Sequence, residues 1–466
     1  MNSKVSLRLK LSILAVGLLT FTGVLIETSM NVTFPELTQQ LNVSLGTVQW
    51  LTTGYLLLTT IVMSTTAFVL KKFDPRKIFV FAATLCFLGT LVCLFSNDFA
   101  ILLIGRLIQA VSTGLATPLM FNLIFTEIPS SKLGVYTGFA SIIISLAPAL
   151  GPTYGGVVSD LWSWRAIFVG VVPIILFLSI LGFFTIRGKA AGADGIKFDY
   201  FGVVGIAVIF TMILFTFDQA GRNGWLSWQF LAWLVVSVFF MIGYWFYNQH
   251  SDRQLIDFSI LKLPVLRLRL FSYFSLQFIN IGLSFVLPVF AQTVLKANAS
   301  QAGLMLLPGS LIGAIVGPYA GYLYDKKGPM TPLVTSGIMI TLGSLLFVFF
   351  GAELSIIGIA LIYTVVRIGF NFGFGTTLSD GSVQVSGPKK SDQNSLFSMM
   401  QQYAGSLGTN VLSVVISSVA IYSGSKGEAV NTALGARIDF VVVLVLAVLI
   451  LLSVIYVNYR YEKNAK

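Results

Sequence analysis

Residues 11–34 read LSILAVGLLTFTGVLIETSMNVTF, an apolar run long enough to cross a bilayer as a helix and interrupted by one charge, Glu27. A carboxylate in such a run costs about 2.5 kcal/mol or more if it faces lipid. It persists only by facing a bundle interior or a wet cavity, where it can lose and regain a proton. Lys4, Arg8 and Lys10 precede the run, as in a secretory signal. No small-residue cleavage site follows and further spans do, so the run reads as a retained first membrane helix.

The remaining chain repeats that pattern. Of 466 residues, 56% are hydrophobic and 10% charged, with a mean hydropathy of +0.88. Soluble domains are about one quarter charged, so the solvent here is lipid. Fourteen stretches are long and apolar enough to span, and an open sheet edge cannot survive in hydrocarbon, which makes the expected fold all-α. Of the 29 Lys and Arg residues, 22 fall in loops on the side of the termini and 5 on the other side. That bias predicts cytoplasmic termini. It also accounts for the net charge of +11 without a nucleic-acid partner. There is no Gly-x-x-x-x-Gly-Lys-Ser/Thr loop, so no ATP site is expected and uphill movement must draw on an ion gradient. Cys86 and Cys93 are two helical turns apart and cannot bridge, and His250 falls in a loop, so neither a metal nor a cofactor is expected.

Several intramembrane residues stand out. Glu27, counted from the outer end of span one at Pro35, and Arg106, counted into span four, lie at matching depth. They form either a proton switch or a static ion pair. Arg106 through Gly114 and Arg367 through Gly375 share an Arg with Gly eight residues on, a weak internal repeat. Arg367 bonds either backbone carbonyls or a solute. Span five carries Gly151, Pro152, Gly155 and Gly156, which permit close approach and bending, as in a gate, or simply pack. Asp325 and Gly328 make a tight turn after span ten that could dock on neighbouring helix ends as a latch. Asp218, Glu36, Glu127 and Asp439 read as solvated acids at span ends, and the segment 187–198, rich in Gly and Ala, reads as a flexible joint.

These motifs resemble the major facilitator superfamily, and within it the fourteen-spanner drug–proton antiporters of the EmrB/QacA type. The resemblance rests on Leu25-Ile-Glu27-Thr-Ser-Met-Asn31, with Glu where Asp is usual, and on Gly105-Arg106-Leu-Ile-Gln109 through Gly114. It rests also on Gly151-Pro152-Thr-Tyr-Gly155-Gly156, on Arg367, and on Gln401-Gln402-Tyr-Ala-Gly405. One departure is the loop after span two, where Lys71 replaces the family's Asp and Asp74 a Gly, which puts that latch in doubt or reverses its polarity.

The resemblance implies a major facilitator fold of 14 transmembrane helices (6 + 2 + 6), two pseudo-symmetric halves around a central cavity, and rocking alternating access. Its parts are an N-terminal half at 1–187, two additional helices within 188–262, and a C-terminal half at 263–466. Glu27 and Arg106 are the expected proton-coupling pair. Glu27, Asn31, Gln109, Phe278, Asn280, Tyr363, Arg367, Phe370 and Asn371 are candidates for the substrate cavity. The expected activity is proton-coupled export of hydrophobic aromatic drugs and dyes, fluoroquinolones among them, by a monomer in the cell membrane. The alternative is proton-coupled transport of a single metabolite, siderophore or lipid. No nucleophile–base set or large extramembrane domain supports an enzyme or a receptor.

Overall fold

Backbone polar groups in lipid must be satisfied within their own segment, and the long apolar stretches are accordingly helices. The computed structural model describes residues 5–31, 33, 36–37, 40–43, 48, 50–187, 198–251, 255–297, 299–351, 354–387, 389–423 and 427–462. Among them there is no strand. The long helices are α1 (Leu7–Asn31), α2 (Trp50–Lys72), α3 (Pro75–Leu94), α4 (Phe99–Glu127), α5 (Leu133–Leu161), α6 (Trp164–Thr185) and α7 (Tyr200–Asn223). There follow α8 (Trp228–His250), α9 (Pro264–Thr293), α10 (Leu307–Lys327), α11 (Met330–Phe350), α12 (Ile356–Val383), α13 (Lys389–Ser423) and α14 (Glu428–Val457). Thirteen helices among the described residues are long and apolar enough to cross a membrane. The exception among those named is α13, which carries Asp392, Gln393, Asn394, Gln401, Gln402 and Asn410. The expected joint at 187–198 falls almost entirely on residues outside the described set, as does Pro35.

Helix starts are written in the local sequence. Asp74 accepts from the Arg76 amide ahead of Pro75, Asp98 from Ile101, Asp199 from Gly202, Ser227 from Phe230 and Ser355 from Gly358. Asp74 thus has a local task, starting α3.

Helix packing recurs with an offset of eight. As α1 packs on α4, α5 and α6, so α9 packs on α12, α13 and α14. As α2 packs on α4, and α3 on α4 and α6, so α10 packs on α12, and α11 on α12 and α14. Two seams connect these groups, α5 against α10 and α2 against α13, with smaller contacts of α5 on α12 and α4 on α13. α7 leans on α13 and α2, and α8 packs on α7.

Candidate functional site: a buried carboxylate–arginine cluster and two cross-seams

Glu27 sits on the face of α1 shared with Gly23, one turn away. Its residue is 8% exposed, and its Oε2 has no hydrogen-bond partner. Arg106 of α4 is fully buried. The two do not form an ion pair within 4.0 Å, although they are close enough to interact electrostatically. Tyr55 of α2 completes the cluster. The Arg106 guanidinium lies 4.3 Å from the centre of its ring. The Tyr55 hydroxyl is 2.7 Å from the Thr113 hydroxyl and donates to the Gly23 carbonyl at 3.4 Å. Gly23 is required here, because a Cβ would lie 2.2 Å from Thr113 Oγ1. Arg106 Nη1 donates to Gln109 Oε1 at 2.9 Å, and Gln109 Nε2 to Thr90 Oγ1 of α3 at 2.9 Å. Nε and Nη2 of Arg106 have no hydrogen-bond partner. A fixed cation thus lies against a tyrosine ring and within electrostatic reach of a carboxylate, with hydrogen-bonding capacity left over on both charged groups.

The α5 motif presses on the same stretch of α1. A Cβ on Gly151 would lie 1.8 Å from Thr28 Oγ1, and one on Gly155 would lie 2.3 Å from the Ser29 carbonyl. Ser29 Oγ donates to the Gly151 carbonyl at 2.9 Å. The residues gripped by α5 are thus the two that follow Glu27. Pro148 and Pro152 lie inside the helix, and Gly156 faces open space.

Arg367 is also buried. Its Nη1 donates to Asn280 Oδ1 of α9, and its guanidinium lies 5.2 Å from the Phe370 ring centre. Asn371 donates to the Arg367 carbonyl at 2.9 Å, Tyr363 shares a hydrogen bond with Ser284 at 2.9 Å, and Phe370 stacks on Phe374 at 4.9 Å. Phe278 is buried, with its carbonyl against Gly408 of α13. Asn31 alone of the cavity candidates is exposed, accepting from Thr52 at 2.7 Å. The Glu27 cluster and the Arg367 cluster are separate, one on α1, α2, α3 and α4 and the other on α9 and α12.

At the end of the bundle carrying most Lys and Arg, each seam has a charged closure. Asp325 accepts from the Gly134 and Val135 amides, at 3.0 and 3.2 Å, at the start of α5, where the helix dipole favours an anion. Gly328 ends α10 with φ of 78°. Lys71 pairs with Asp392 of α13 at 2.7 Å, with 15% and 4% of the two side chains exposed. Thr66 and Ser395 share a hydrogen bond at 2.8 Å, and Asn394 donates to the Pro118 carbonyl of α4 at 2.8 Å. The Asp257 amide also reaches Asp392, at 3.3 Å, and its carboxylate pairs with Lys389 at 3.4 Å. Burial lifts the Asp257 pKa, but Ser259 hydrogen bonds and the Lys389 charge outweigh it and hold the group below its usual value.

Residues 16–409 match the description Major Facilitator Superfamily. The chain belongs to that superfamily. Lincomycin resistance protein LmrB of Listeria innocua is 30% identical over 399 residues, 85% of this chain and 84% of that protein. The multidrug resistance protein B homolog of Mycobacterium tuberculosis is 27% identical over 449 residues, 90% of this chain and 79% of that one. The solved human organic anion transporter MFSD10 (TETRAN) shares the fold, with a TM-score of 0.64 and 15% identity over 96% of this chain and 99% of its own. This member of the major facilitator superfamily is a multi-pass membrane transporter of small molecules and not an enzyme. Among its described residues, no three His, Cys, Asp or Glu side chains gather as metal ligands.

In this superfamily member three sequence readings need correction. Asp439 is fully buried in α14 rather than solvated, because α14 begins at Glu428, eleven residues earlier. Arg269, counted above among the 22 loop charges on the side of the termini, is not in a loop. It lies inside α9, buried, and pairs with Asp380 of α12 at 2.6 Å. Glu36 accepts from Ser159 and Gln40 at 2.7 and 2.8 Å, so it is tied down rather than merely hydrated. Tyr55, Thr90 and Thr113 escaped the sequence reading. The usable signal was Tyr55 itself, an aromatic hydroxyl in the span-two run Thr52-Thr-Gly54-Tyr55.

Proposed function

We propose that the chain is a proton-coupled multidrug efflux antiporter of the fourteen-spanner type, exporting hydrophobic aromatic drugs and dyes, fluoroquinolones among them, by alternating access. It works as a monomer in the cell membrane with both termini cytoplasmic. Its parts are a six-helix half at 1–187, two additional helices within 188–262 and a second six-helix half at 263–466. The packing that recurs at an offset of eight helices supports this 6 + 2 + 6 layout.

One observation carries the reading. Glu27 is a buried carboxylate beside Arg106 and Tyr55, on the turn of α1 that Gly151 and Gly155 of α5 grip. Glu27 takes a proton from outside, and the neutral acid, released from Arg106, favours drug release and return inward. Proton loss toward the cytoplasm restores the charged pair. Arg106 stays cationic and tunes the site. Movement of α5 against α1 changes the separation and hydration of Glu27, which is what its proton affinity responds to. The relatives named for lincomycin and multidrug resistance support export of drugs.

The test is efflux of ethidium and norfloxacin from energised cells expressing the parent or Glu27→Gln, with and without a protonophore. Efflux that the protonophore stops and that Gln abolishes at equal expression supports the reading. Efflux by Gln equal to the parent moves the proton site elsewhere. If the parent moves neither compound, the single-metabolite reading takes its place.

A further inference from the structure

Asp439 belongs to neither cluster. It lies eleven residues from the start of α14, about 16 Å along the helix. It is 0% exposed, and neither carboxyl oxygen has a hydrogen-bond partner. The next residue, Phe440, stacks on Phe347 of α11 at 4.9 Å. One turn earlier on the Asp439 face, Gly435 lies so close to α13 that a Cβ would be 2.6 Å from Ile416 Cα.

The helices packed against α14 bring it no counter-charge. They are α9, α11 and α13. The cations of α9, Arg267 and Arg269, and the charges of α13, Lys389, Lys390 and Asp392, sit in the first turns of those helices, at the far end of the bundle. α11 carries no ionisable group between Met330 and Phe350. Tyr273 of α9 donates to Gln401, and on α13 Tyr403 stacks on Phe210 of α7 while Tyr422 is exposed. On α14 itself Glu428 is three turns away, and Arg437 is exposed and two residues off, on the opposite side of the helix. Among the described residues, an ionised carboxylate so placed has no compensation, whereas a neutral carboxylic acid is tolerated.

We propose that Asp439 is a second proton-binding carboxyl, distinct from Glu27, that holds its proton while α14 is closed on α13 and releases it to water when the two helices part. The O–H bond breaks, the proton passes to a water molecule and the carboxylate keeps the electron pair. The neutral form fits the dry contact at Gly435 and Ile416, and the charged form fits a hydrated gap. Deprotonation therefore opposes closure of α14 onto α13, the helix that holds Lys71 through Asp392.

The experiment is infrared difference spectroscopy of the full chain in lipid nanodiscs, titrated from acid to alkaline pH, for the parent, Asp439→Asn, Asp439→Glu and Glu27→Gln. The expected result is a protonated-carboxyl band at neutral pH that persists in Glu27→Gln, is lost in Asp439→Asn and is displaced in Asp439→Glu. Raising the pH bleaches that band reversibly in the parent. If Asp439→Asn does not accumulate, displacement of the band in Asp439→Glu gives the same assignment. Spectra indistinguishable between the parent and both Asp439 variants overturn the proposal. So does a band that persists at every pH up to unfolding, since the proton is then fixed and the acid only structural. No drug is present in any of these readings, so failure here and failure of the efflux assay remain distinguishable.

Discussion

The seams α5–α10 and α2–α13 occupy equivalent places under the eight-helix offset, yet they are built from different chemistry. At α5–α10 backbone meets backbone. A Cβ on Gly321 would lie 2.0 Å from the Gly134 carbonyl, and one on Gly138 would lie 2.6 Å from that of Gly317. The closing charge, Asp325, grips main-chain amides. At α2–α13 side chains meet side chains, through Thr66 with Ser395 and Lys71 with Asp392. The first seam is fixed by the absence of side chains and tolerates no volume. The second is fixed by complementary groups, so its polarity can be exchanged as long as both partners change. That difference explains how Lys71 can stand where the family pattern has an acid, since Asp392 supplies the opposite charge across the seam.

The largest expected effect comes from filling the glycine seam. Gly321→Leu forces a side chain into the Gly134 backbone, and thermal stability in detergent should be lost, together with the ethidium efflux proposed above. Overpacking of this kind costs about 1–3 kcal/mol even where neighbours are flexible side chains, and backbone cannot yield as they do. Retained efflux would show that the two seams are equally plastic. Next is Lys71→Ala, which strands Asp392 with 4% of its side chain exposed. Removing one partner of a buried pair costs about 3–5 kcal/mol, and the 15% exposure of Lys71 places this case at the lower end. The exchange Lys71→Asp with Asp392→Lys should recover most of that stability in a melting assay, and failure to recover would mean that polarity at this seam is not exchangeable.

A smaller loss is expected for Asp325→Ala. It strips charged acceptors from two amides, at about 1.5–3 kcal/mol, and Asp325→Asn should lose less because one oxygen remains. The smallest is Lys389→Ala, whose half-exposed pair with Asp257 is worth under about 1 kcal/mol. The pH dependence of this contact has a definite sign. Because the folded Asp257 pKa is depressed, its contribution is present at neutral pH and is lost in acid as pH falls through the folded value, below the ordinary aspartate range. Limited proteolysis of the 255–262 connector across pH should show protection failing only in acid, and failing at higher pH in Lys389→Ala.

Much of this architecture was legible because lipid imposes a simple rule on sequence. The apolar runs became helices, and Glu27 and Arg106 were visible as charges where charge is costly. Their matching depth was readable too, but not whether they touch or what lies beside them. Tyr55 comes from a different helix, and no spacing along the chain announces that its ring will lie against the Arg106 guanidinium. Arg269 and Asp439 were misplaced for one reason: their helices run past the apolar windows that marked them, so a residue near a window edge lies well inside a helix. The exchange at Lys71 was readable as a departure, but its partner Asp392 is 321 positions away and only the fold brings the two together.

The polarity of α13 has a consequence for how the protein is made. Asp392 and Ser395 find partners on α2, Asn394 on α4 and Gln401 on α9, contacts that lipid cannot supply. During synthesis α13 leaves the ribosome as the segment least suited to enter the bilayer by itself, and it is followed directly by α14, the most apolar of the spanning helices. A nascent chain ending before α14 is therefore expected to leave α13 incompletely integrated. α14 is apolar enough to enter unaided, so its entry is expected to help hold α13 in the membrane.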